Sequence, residues 1–231
     1  VLFDVGGTLI SEDPRDSIVP FLQRQGAMFN SSRLLEAITK ADAYHSAHQD
    51  SAKTWDDALH VWRGFDQILL ETLEVDDVPK LTEALLASWN DPRVWPLLPG
   101  VRESIEALTR GGYRLAVISN WDGGLERVLD VVGLRQYFEF VMASATFGTR
   151  KPDPRIFHGA LERLGLPASE VVYVGNNLAH DAQAARAVGI QAVLVPSFGQ
   201  ELRADADLEH ILVLKTLHDL IGHIEAASEA A

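Results

Sequence analysis

Four short polar segments stand where apolar runs of this chain end. Asp4 follows Val1-Leu2-Phe3, and Ser119-Asn120 follow Leu115–Ile118. Lys151 lies in Thr149-Arg150-Lys151-Pro152, and Gly175-Asn176-Asn177 follow Val171–Val174, with Asp181 shortly beyond. Together they supply carboxylates, a hydroxyl, amides and an ammonium, groups suited to holding a small anion. Each apolar run reads as a buried strand. Ligands of open α/β sheets bind beyond the strands' carboxyl ends, so groups far apart in sequence meet in one crevice there.

The elements that would position them follow from the rest of the chain. Pro99-Gly100 introduces a helix over Val101–Arg110, which Gly111-Gly112 ends. The run Arg114–Asn120 is a strand, followed by a helix across Leu125–Val132 and a short strand near Phe140–Ala143. The same alternation predicts a helix over Ile156–Leu164, a strand over Val171–Val174 and a helix over Asp181–Val188. A strand over Ala192–Val195 and a closing helix over Ile211–His223 complete it, with an Ala/Glu-rich tail that frays. Such repetition predicts an α/β fold, a parallel sheet covered on both faces, with residues 1–10 giving its first strand.

Residues 16–92 lack strand-like runs and read as helices. Ser31-Ser32 can start one carrying Leu34, Leu35 and Ile38; Thr54 with Asp57 can cap the next. In that second helix Leu59, Trp62, Phe65 and Leu69 recur at steps of three and four, an apolar face that reads as helical core. The expected organisation is a core of residues 1–12 and 95–231 interrupted by a helical insertion over 13–94. His45 and His48 can share a helix face there, and capping, packing or solvent exposure is their plainest use; neither they nor His180 form a zinc-binding spacing.

Composition narrows the function classes. Of 231 residues, 33 are acidic and 20 are Lys or Arg, a formal charge of −13 that argues against a nucleic-acid binder. One Lys in a cleft can still outweigh distant carboxylates and attract a small anionic substrate. No Cys occurs, which removes disulfides, thiolate metal centres and a thiol nucleophile, and fits a cytoplasmic protein. No apolar stretch is long enough to span a membrane, and the opening run is too short for a signal peptide. Because the chain opens inside a strand, a few residues are expected to precede Val1. No feature of the sequence identifies a protein partner or an oligomeric state.

The ordered combination resembles the haloacid dehalogenase-like hydrolase superfamily. The matching stretches are Phe3-Asp4-Val5-Gly6-Gly7-Thr8-Leu9, Ile118-Ser119-Asn120, Lys151-Pro152-Asp153-Pro154 and Val174-Gly175-Asn176-Asn177 through Asp181. The resemblance implies a Rossmann-like core with the helical insertion as a C1 cap. It implies Asp4 as a nucleophile attacking phosphorus or carbon, and Lys151 as the ammonium that neutralises substrate and developing charge. Thr8, Ser119 and the Asn120 backbone N–H would bind the transferred group. Magnesium would be held by Asp4, the Gly6 carbonyl and Asn176, with Asp181 either on the ion directly or orienting Asn176 and Lys151.

Two positions depart from the family's phosphatase pattern. Gly6 stands where a second Asp would protonate the leaving oxygen and then activate water, assistance commonly worth ~10²–10⁴ in rate. Asn176 stands where metal-dependent relatives place an acidic ligand, and an amide brings no charge to magnesium. The expected function is a phosphatase of a small phosphorylated metabolite acting through an aspartyl-phosphate. The alternatives are a 2-haloacid dehalogenase, with Arg24 or Arg33 as halide-side groups, and a catalytically weakened anion-binding protein. Phosphonatase chemistry would draw on Lys40 or Lys53.

Overall fold

A computed structural model describes residues 1–197 and 207–223 of the chain. It divides into two compact units. The first comprises Val1–Ser11, Leu97–Asn120 and the chain from Leu134 onward; the second comprises Glu12–Pro96 and Trp121–Gly133.

The first unit is built on a parallel sheet. Its strands are β1 (Leu2–Phe3), β2 (Ala116–Ser119), β3 (Val141–Ala143), β4 (Val172–Gly175), β5 (Gln191–Leu194) and β6 (Ile211–Val213), in the order β3-β2-β1-β4-β5-β6. Every pairing is parallel, with Leu2 opposite both Ala116 and Tyr173, and Phe3 opposite Val117 and Val174. This order reverses between β1 and β4, and the crevice of such a sheet opens where it reverses. Asp4 and Asn176 lie just past β1 and β4, and Ser119 ends β2. The strands carry mostly buried apolar residues, and Leu2, Ile118, Phe157 and Tyr173 are fully enclosed with Ala182 and Leu194. Burying a large apolar side chain of this kind contributes roughly 1.5–3 kcal/mol.

The helices Val101–Arg110 and Pro154–Leu164 match the expectation, and the second starts on an Asp153 side chain that accepts from the Arg155 N–H. The expected closing helix is corrected. Ile211–Val213 forms β6, paired to β5 through Ala192↔Ile211 and Val193↔Leu212, and of the described residues after it only 219–223 are helical. The run Ile211-Leu212-Val213-Leu214 favours an extended backbone, and an open edge on β5 satisfies its hydrogen bonds. The Ala/Glu-rich tail lies outside the described residues.

The second unit is helical. Its main elements are Ile18–Arg24, Leu34–His48, Trp55–Thr72, Val78–Ser88 and Leu125–Val131. Thr54 and Asp57 form the expected capping box at the start of Trp55–Thr72. Segment 121–133, expected with the sheet core, clusters here instead. In Leu34–His48 the buried positions are Ala37 and Ala41, whereas Leu35 is exposed. Trp62 and Phe65 join Trp89, Trp95, Trp121 and His45 in a continuous aromatic cluster, ring centroids 4.3–6.2 Å apart. These rings therefore pack as core, as their helical spacing predicts. Two carboxylates are sealed beside them: Asp122 accepts from Trp62 Nε1 at 2.9 Å and the Gly124 N–H at 2.8 Å, and Asp66 accepts from Trp89 Nε1 at 3.2 Å.

Candidate active site

The loop after β1 sets Asp4. Its own N–H donates to the Val174 carbonyl of β4 at 2.9 Å, and the N–H groups of Leu9 and Ile10 both return to the Val5 carbonyl. Gly7 closes this turn at φ +70°, and a Cβ there would lie 2.1 Å from Asn176 Nδ2. Only glycine allows the loop to approach the end of β4 so closely.

Five side chains, most of them far apart in sequence, meet at the carboxyl ends of β1, β2 and β4. Lys151 Nζ donates to Asp4 Oδ1 at 2.7 Å, to Asp181 Oδ1 at 2.5 Å and to the Tyr173 hydroxyl at 2.8 Å. Ser119 Oγ donates to Asp4 Oδ1 at 2.8 Å. Asp4, Lys151 and Asp181 are 6%, 3% and 1% exposed, so bulk water screens their charges little. Charges removed from water persist only when paired and hydrogen-bonded, and this cluster meets that condition.

Electrostatics follow from that burial. Desolvation pushes the Asp4 carboxyl up; Lys151 pulls it down and Asp181 pushes it further up, leaving it raised. Desolvation would lower the Lys151 ammonium, but Asp181 and Asp4 outweigh it and hold it above its ordinary value. Burial and the two carboxylates keep the Tyr173 phenol protonated, well above its usual range. The site is thus two carboxylates sharing one firmly protonated lysine.

Asp4 Oδ1 carries both protein donors, while Oδ2 makes no hydrogen bond to the described residues. Asn120 acts through its side chain, which the sequence reading did not use. Its Oδ1 accepts from the Lys151 N–H at 2.7 Å and its Nδ2 donates to the Lys151 carbonyl at 2.9 Å. This two-point clamp fixes the backbone from which the ammonium extends. Asp181 spends Oδ1 on Lys151 and Tyr173 and accepts the Asn177 N–H on Oδ2 at 2.9 Å. It sits on a π-helical turn, Leu178–Gln183, that Asn177 caps with its own Oδ1. A Cβ on Gly175 would fall 2.5 Å from Asp181, so that glycine admits the carboxylate.

Thr8 is buried, its Oγ1 3.5 Å from Asn176 Oδ1. Asn176 Nδ2 donates to Ser197 Oγ at 2.8 Å, a bond a carboxylate could not make. No three His, Cys, Asp or Glu among the described residues converge as a metal-binding group. The oxygens expected to hold magnesium, from Asp4, the Gly6 carbonyl and Asn176, are one charged and two neutral. That set fits magnesium if substrate oxygens and water complete its shell.

Tyr173 was not among the expected site residues, because a tyrosine inside a buried strand reads as core. Of the helical unit's cationic candidates, Arg33 is paired with Glu36 and Glu74, and Lys40 with Glu36. His45 faces Asp122 at 3.3 Å. His180 is exposed on the π-helical turn.

Comparison with known proteins agrees with this architecture. The chain is 28% identical to the haloacid dehalogenase-like hydrolase domain-containing protein 3 of Mus musculus, over 95% of this chain and 96% of that protein. With the like-named proteins of Bos taurus and Homo sapiens the match spans only 47% and 55% of the relative's length. A phosphoserine phosphatase of Thermus thermophilus is 31% identical over 70% of each chain. Among solved structures, an L-2-haloacid dehalogenase superposes with a TM-score of 0.70 at 25% identity, covering 96% of this chain and 97% of that one. No described helix is long and apolar enough to cross a membrane. The profile of the haloacid dehalogenase-like hydrolases matches residues 1–189, and the chain belongs to that family.

Proposed function

We propose that this hydrolase is a phosphatase of a small phosphorylated metabolite and that Asp4 is its nucleophile. The observation that carries this reading is the asymmetry of Asp4: Oδ1 is held by Ser119 and Lys151, and Oδ2 is left to attack. Lys151 keeps the carboxylate oriented and draws the substrate's anionic group towards it. Ser119 Oγ turns from Asp4 to a phosphoryl oxygen as substrate binds, and Thr8 and the Asn120 N–H add donors. Attack on phosphorus forms the aspartyl-phosphate and expels the leaving oxygen; water then releases phosphate and regenerates Asp4.

Magnesium fits this reading on Asp4, the Gly6 carbonyl and Asn176, where it would neutralise phosphoryl charge. Asp181 is read as the anchor of Lys151 rather than as a metal ligand, because its oxygens are engaged by Lys151, Tyr173 and the Asn177 N–H. The helical unit interrupts the sheet unit directly after the Asp4 loop, the insertion point of a C1 cap.

A second reading, hydrolysis of a 2-haloacid, is favoured by Gly6, since a halide needs no proton to leave. One screen separates the two: phosphorylated metabolites and short 2-haloacids, each with and without magnesium, scored for phosphate and halide. Phosphate release supports the phosphatase; halide release without phosphate overturns it. Saturable phosphate binding without any turnover would instead make the protein an anion binder.

A further inference from the structure

Resting on the phosphatase reading, we propose that the substrate is an acyl phosphate, whose leaving group departs as a carboxylate without taking a proton. Expelling an alkoxide requires a donor near the leaving oxygen, and the side chains gathered around Asp4 supply none suited to it. Position 6, two residues beyond the nucleophile, is glycine and has no side chain.

The buried protic groups around Asp4 are committed to one another. All three Lys151 donors are used, on Asp4, Asp181 and Tyr173. The Tyr173 hydroxyl is buried, lies 3.1 Å from both the Ile118 carbonyl and Asp181 Oδ1, and holds its proton tightly. Asp181 accepts from Lys151, Tyr173 and the Asn177 N–H. Ser119 and Thr8 are alcohols, about as weakly acidic as the alcohol that would leave and far from the acidity of an efficient general acid. Asn176 and Asn120 are amides and do not titrate.

With an acyl phosphate the chemistry balances without an acid. Asp4 Oδ2 forms a bond to phosphorus as the bond from phosphorus to the acyl oxygen breaks, and that oxygen leaves with its electron pair as a carboxylate. Water then bonds to phosphorus, the bond to Asp4 breaks, and both water protons end on the released dihydrogen phosphate. Asp4 also departs as a stable carboxylate, so neither half-reaction protonates a poor leaving group. The nature of the substrate implies an upstream reaction that activates a carboxylic acid by phosphorylation.

The test is a leaving-group series on the full chain with magnesium present: acetyl phosphate, benzoyl phosphate, aryl phosphates of graded phenol acidity, and glycerol phosphate. The expected result is a kcat/KM that falls steeply as the leaving group becomes more basic, with acyl phosphates above glycerol phosphate by roughly 10²–10⁴. Gly6→Asp should raise glycerol phosphate turnover selectively and flatten the dependence. A flat dependence in the unmodified chain, with glycerol phosphate as good as acetyl phosphate, would overturn the inference and point to a donor such as His180. That failure is distinct from failure of the phosphatase reading, in which none of the compounds yields phosphate and the inference falls with it.

Discussion

The Tyr173 hydroxyl accepts a hydrogen bond from the Lys151 ammonium at 2.8 Å, from a strand whose other inward residues are plain core. Its own proton faces the Ile118 carbonyl and Asp181 Oδ1, both at 3.1 Å. Tyr173 thereby joins β4 to the end of β2 and gives Lys151 a neutral third acceptor between two carboxylates. Tyr173→Phe keeps the ring against Phe157, 5.3 Å away, and removes only this link. A hydrogen bond to a charged group contributes about 1.5–3 kcal/mol to stability, so the melting temperature should fall by several degrees, and kcat should fall roughly 10-fold as Lys151 loses its third anchor. Unchanged kcat in the folded variant would remove Tyr173 from the site's machinery.

Asp181 repels the charge on Asp4, and this sets a pH dependence. The burial-raised Asp4 carboxyl is helped upward by Asp181, so activity should gain on its acid side only above the ordinary carboxylate range. Asp181→Asn deletes that repulsion; the acid limb of kcat/KM should move to lower pH even as kcat falls through the weaker hold on Lys151. A pH–rate profile checks the sign, and an acid limb moving to higher pH would contradict it.

Asn176 donates to Ser197 and brings no charge to the crevice. Asn176→Asp should tighten magnesium binding by about tenfold, since affinity for such ions follows the charge count of the donors. Calorimetric titration of both proteins with magnesium measures it; equal or weaker binding by the variant would exclude residue 176 from the donor set.

The helical unit carries its own titration. Asp66 is fully buried, Oδ1 has no hydrogen-bond partner among the described residues, and desolvation holds its carboxyl well above the usual value against weaker opposition from Trp89 and Arg63. The folded state therefore binds this proton more tightly than the unfolded chain. Its contribution is whole below the unfolded pKa of about 4 and is lost as pH rises from there to the folded value. Asp66→Asn lacks that loss. Relative to the unmodified chain it should gain roughly 1–3 kcal/mol between pH 4 and 8 in denaturant titrations, and a constant difference across that range would contradict the assignment.

Much of the site was legible because polar residues at the ends of apolar runs are anomalous. Asp4, Ser119, Lys151 and Asp181 stood out on that ground and converge as expected. Tyr173 did not, because an aromatic residue within a strand is what a buried sheet requires, and its hydroxyl acquires meaning only from partners 22 residues back and 8 ahead. The Asn120 side chain was missed for a similar reason: a clamp on a backbone 31 residues away leaves no local pattern. In the fold, Ile211-Leu212-Val213-Leu214 leads into Leu217, Leu220 and Ile221 at helical steps, which hid β6 until β5 offered it an edge. Asp122 had no local signal either; Trp62 and the Gly124 N–H explain its burial.

Whether Asp4 is the covalent nucleophile is decided by rapid acid quenching of the enzyme during turnover of a phosphorus-labelled substrate. Peptide mapping should find the label on residue 4 as an acyl phosphate, formed as fast as turnover, and absent from a folded Asp4→Asn variant that releases no phosphate. Steady phosphate release with no label on residue 4, or turnover by purified Asp4→Asn near the unmodified rate, would contradict the account.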